Sequence, residues 1–82
     1  MKYRIAWFRK FGNERVFHLV DPEVEVAENL EIAKAQLKAI EQFCYRADPG
    51  GKIEADERRV RSEYTFSYGE TITHVYKIIE ED

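Results

Sequence analysis

Asn29-Leu30-Glu31-Ile32-Ala33-Lys34-Ala35-Gln36-Leu37-Lys38-Ala39-Ile40-Glu41-Gln42-Phe43-Cys44 is the stretch on which the reading of this chain turns. Counting from Val26, apolar residues recur three or four apart at Leu30, Ala33, Leu37, Ile40 and Cys44, and Ile32, Ala39 and Phe43 widen the stripe. The alanines are strong helix formers. Asn29 is a candidate N-cap; Asp21, with Pro22 at the first helical position, is another. Glu31–Lys34 and Lys38–Glu41 have the spacing of ion pairs on the wet side. Asp48-Pro49-Gly50-Gly51 ends the helix.

Outward from this helix the period falls to two. On the N-terminal side Tyr3, Ile5 and Trp7 alternate with Arg4, Ala6 and Phe8, Gly12-Asn13 breaks the run, and Val16 to Val20 resumes it as a hairpin. On the C-terminal side Val60, Ser62, Tyr64, Phe66 and Tyr68 alternate with Arg59, Arg61, Glu63, Thr65 and Ser67. Gly69-Glu70 turns the chain into a β-branched run from Thr71 to Ile79. Lys52 to Arg58 reads as a loop or a short helical turn. The expectation is one α+β domain over residues 1–82. Its architecture is ββαββ, a four-stranded, mostly antiparallel sheet with one long helix on one face. The strand order stays open, and the Thr71–Ile79 run is a candidate edge able to pair with a second copy.

With 82 residues the chain is too short for two ordinary domains. At 44% hydrophobic and 13% aromatic it is too apolar to be disordered. Its net charge is −3 and its pI near 5.4, so it is no polybasic tail. One cysteine, Cys44, permits no intrachain disulfide, and with two histidines it leaves the usual structural zinc site short of ligands. No apolar run reaches membrane-spanning length, and a cytoplasmic location without membrane contact is expected.

Catalytic signatures are missing. Gly50-Gly51-Lys52-Ile53 lacks the first glycine and the hydroxyl residue of a phosphate loop. No zinc-protease helix, redox CxxC or nucleophile elbow is present. Cys44 falls on the helix's apolar stripe and His74 shares a strand face with Ile72, Tyr76 and Ile78, so both read as packing residues. Glu23, Glu25, Glu28 and Glu31 suit the first turns of a helix, where they offset its dipole. The chain is expected to be no enzyme and to take no cofactor or metal.

One helix covers one sheet face, so function is expected on the other. Strand one is apolar on both sides, which leaves Trp7 or Phe8 as a contact residue, and exposed aromatics beside arginines are common at binding hot spots. Trp7, Phe8, Arg59, Arg61 and Lys77 are therefore the candidate protein-binding residues. The partner is a second copy in a homodimer or another protein, and the role that of a regulator, adaptor or inhibitor. No motif names a family; the format alone resembles that of small phage-encoded inhibitors of host proteins. The alternative is nucleic-acid binding through the basic strand face. That reading is opposed by the net charge and depends on which face of Val60–Tyr68 meets the helix.

Overall fold

A computed structural model of the protein describes residues 1–20 and 25–81. The candidate cap at Asp21-Pro22 lies outside the described residues. The elements in chain order are β1 (Lys2–Phe11), β2 (His18–Val20), α1 (Leu30–Ala47), β3 (Lys52–Ala55), β4 (Arg59–Thr65) and β5 (Thr71–Glu81). Five antiparallel strands lie in the order β2-β1-β5-β4-β3, with α1 against one face.

The helix begins where its cap chemistry places it. Asn29 is extended, and its side-chain oxygen accepts from the Ile32 amide at 2.9 Å. At the other end the Asp48 amide donates to the Cys44 carbonyl at 3.1 Å, and the Gly51 amide donates to the Asp48 carbonyl. A side chain at Gly51 would collide with the Asp48 carboxylate, which explains the glycine there. Before the helix, Ala27 exchanges two backbone hydrogen bonds with Tyr3, fastening the lead-in to the outer edge of β1.

Ala33, Leu37 and Cys44 of α1 pack on Ile5, Val60, Tyr76 and Ile78, with Leu30, Ile40, Trp7 and Ile53 completing the core. The apolar stripe is narrower than its spacing suggests. Ile32 and Phe43 stay exposed, because the sheet meets the helix along only one row of side chains. Neither expected ion pair along the helix forms; Lys34 instead lies 3.6 Å from Glu57.

Three sequence expectations require correction. The sheet has five strands, not four, because Lys52–Ala55 is a strand and not a loop or helical turn. Ile53 faces the core, while Lys52 and Glu54 face away and suit an edge. Only His18–Val20 of the Val16–Val20 run pairs with β1. The Thr71–Ile79 run is no edge: β5 is the central strand, bonded to β1 and β4 on its two sides. The edges are the short strands β2 and β3.

The register decides which face each side chain takes. Ile5 opposite Ile78 and Trp7 opposite Tyr76 point to the helix; Ala6 opposite Lys77 and Phe8 opposite Val75 point away. Truncating Ile5, which has no exposed surface, should cost about 2–5 kcal/mol in urea denaturation of Ile5→Ala. Asn29→Ala, which removes only the cap bond, should cost about 1 kcal/mol.

Candidate functional site

The face of the sheet turned away from α1 is uncovered. Along its middle, cross-strand pairs set Leu19 beside Phe8, Phe8 beside Val75 and Val75 beside Arg61. One row on, Ala6, Lys77 and Arg59 stand side by side. The result is a short apolar strip flanked by cations. The Lys77 ammonium sits 5.2 Å from the Phe8 ring centre, and Lys10 lies 5.3 Å from that of Phe17 beyond β2.

The charge on this face is opposite in sign to that of the chain. Lys2, Arg4, Lys10, Lys52, Arg59, Arg61 and Lys77 alternate onto it, against Glu54, Glu63 and Glu81. It carries a surplus of four positive charges on a protein whose net charge is −3. The three carboxylates are already engaged. Glu81 accepts from Arg4 at 2.7 Å, Glu63 lies 3.3 Å from Arg61, and Glu54 lies 3.7 Å from Lys52. Among the described residues, Lys2, Lys10, Arg59 and Lys77 have no anionic partner. Arg59 and Lys77 are also directly opposite each other on neighbouring strands, an unfavourable like-charge pair.

Four of the five candidate residues, Phe8, Arg59, Arg61 and Lys77, therefore come together. Trp7 does not. It lies on the helix side, its ring stacked on Tyr76 at 5.5 Å, and its indole N–H donates to His74 Nδ1 at 3.0 Å. The aromatics of the β4–β5 hairpin are on the helix side as well. Tyr64 pairs with Ile72 there, Phe66 packs edge-on to Tyr64, and Tyr68 stacks on Phe66. The open face is thus the basic one, with Thr65, Thr71 and Thr73 at the hairpin end of β4 and β5. Leu19 and Phe17 also belong to this surface and were not singled out from the sequence; the register of β2 on β1 places Leu19 there, and the contact with Lys10 places Phe17.

The two groups with conceivable nucleophile or base chemistry, Cys44 and His74, both line a cavity of about 230 Å3 beside the C-terminal end of α1. Burial pushes the Cys44 thiol above its ordinary range, the opposite of what an attacking thiolate needs. Burial, with Arg9 nearby, holds His74 below the usual imidazole value. Burial also pushes the Tyr76 phenol up to about 12. Among the described residues no three metal-ligating side chains cluster, and no helix is long and apolar enough to cross a membrane. Comparison of the chain with protein-family models, with curated proteins and with solved structures yields no match.

The His74 environment has a consequence for pH. Its folded-state affinity for a proton is lowered, so as pH falls below about 6.5 the unfolded chain takes up the proton first. Its effect is absent above that pH and destabilising below it. Thermal midpoints measured between about pH 7 and pH 5 should fall with acidity. In His74→Gln, which keeps an acceptor for Trp7, that slope should flatten.

Proposed function

We propose that this chain is a non-enzymatic protein-binding module that docks an acidic partner on its open sheet face. There it would serve as a regulator, adaptor or inhibitor. The observation that carries the reading is the Arg59–Lys77 pair. Two cations directly opposite each other weaken a sheet, and no carboxylate among the described residues pairs with either. A partner carboxylate placed between them would. Phe8 and Val75, one row away, supply the apolar anchor beside that charge.

The same electrostatics bears on the partner's identity. A two-fold dimer through this face would set the surplus cations of one copy against those of the other. A different protein with an acidic surface fits better than a second copy. Nucleic acid is the alternative, favoured by the unpaired cations, which suit phosphate contacts. Against it, Phe8 lies under Lys77, and the aromatic series of the β4–β5 hairpin is on the other face, so stacking platforms for bases are scarce.

Panning a displayed random-peptide library on the protein tests the proposal whatever the natural partner is. Selected peptides should be rich in Asp and Glu around an aromatic or aliphatic residue. Phe8→Ala should cost more than about 1 kcal/mol of their affinity. Arg59→Glu creates an ion pair with Lys77. It should raise stability by about 0.2–1 kcal/mol while weakening peptide binding at least tenfold. Selection of uncharged peptides, or binding indifferent to both changes with circular dichroism intact, would refute the reading.

A further inference from the structure

The helix side of the sheet holds a second feature, independent of the open face. Helix α1 ends before the sheet does. From beneath its last turn a row runs outward through Ser62, His74, Arg9 and His18 across β4, β5, β1 and β2. Arg9 has its guanidinium carbon 5.8 Å from the ring centre of Trp7 and 4.9 Å from that of Phe11. Held between these rings it makes no ion pair or hydrogen bond among the described residues, and its Nε is buried without a partner. A cation fixed in place, partly dry and unpaired is costly to keep.

Its neighbour His74 offers a second donor. Because Nδ1 accepts from the Trp7 indole, the neutral ring carries its proton on Nε2. That N–H has no acceptor among the described residues. His74 also lines the cavity of about 230 Å3, whose walls are the rings of Phe43, Tyr64 and Tyr76. Asp48 lines the same cavity, with its Oδ2 buried on the side toward Gly51. Glu14, the other carboxylate near this row, is engaged by His18 at 2.9 Å.

We propose that this cavity binds a small aromatic acid of a single ring. The ring would lie among Phe43, Tyr64 and Tyr76, and the carboxylate would be held at the rim by His74 Nε2–H and by Arg9, the register partner of His74 on β1. The volume is below that of drug-sized sites and suits one ring. Such a ligand gives the Arg9 guanidinium and the His74 Nε2–H one shared anionic partner. A simple inorganic anion would leave the ring walls unused. An amine would meet Arg9 with like charge.

The probe is 4-hydroxyphenylacetate, and the reporter is the indole N–H resonance of Trp7, the chain's one tryptophan. The acid should move this resonance saturably. The uncharged 4-hydroxyphenylacetamide and the cationic tyramine should each bind at least tenfold more weakly. Arg9→Gln should weaken binding of the acid at least tenfold, with Arg9→Lys intermediate. The acid–amide comparison on the unaltered protein stands even if an Arg9 variant fails to fold. Equal binding of acid and amide, or no saturable shift up to about 20 mM, overturns the proposal.

Discussion

Pairing of β1 with β5 is the interaction on which the rest of the molecule depends. Ten residues of the first strand meet ten of the last, from Lys2 opposite Glu81 to Phe11 opposite Ile72. This joins nearly the two ends of the described chain, so its closure entropy is met only when the whole domain forms. It also sets parity. With Ile5 on Ile78 facing the helix, Phe8, Val75, Lys77 and Arg4 must face away; a slip of one residue in either strand would reverse that strand's assignments.

From that parity the two surfaces follow. The 18 residues of α1 supply one row of core contacts, Ala33, Leu37 and Cys44, which is enough for part of one face of a five-stranded sheet. The opposite face is left without a layer, and it holds the positive surplus of a net acidic protein. The uncovered end of the helix-side face holds Trp7, Arg9, His74 and the hairpin aromatics. Neither surface carries the side chains a plain solvated sheet would choose. One sets like charges side by side, and the other keeps an arginine unpaired between rings.

Much of the fold was legible because its signals are local. Asn29 as cap, the helical stripe and the Asp48–Gly51 stop need only their own neighbourhood, and each is found where the sequence places it. Lys52–Ala55 was missed because charges at Lys52 and Glu54 mask the alternation of Ile53 and Ala55, which is how an edge strand reads. The central position of β5 was not legible, since strand order is a long-range property of two hairpins and a helix. The grouping of Phe8, Arg59, Arg61 and Lys77 follows from alternation plus register. Trp7 fell on the other face because it is one residue from Phe8, and exposure of an aromatic cannot be inferred from its type.

A sheet face that docks an acidic protein should hold nucleic acid poorly. The most direct measurement is an anisotropy titration of labelled mixed-sequence single- and double-stranded DNA and RNA at about 50 and 200 mM salt. Weak binding is expected at the lower salt, and none that saturates at the higher. Tight binding with a steep salt dependence, lost in Arg59→Ala and Arg61→Ala, would contradict it and make the face a nucleic-acid surface.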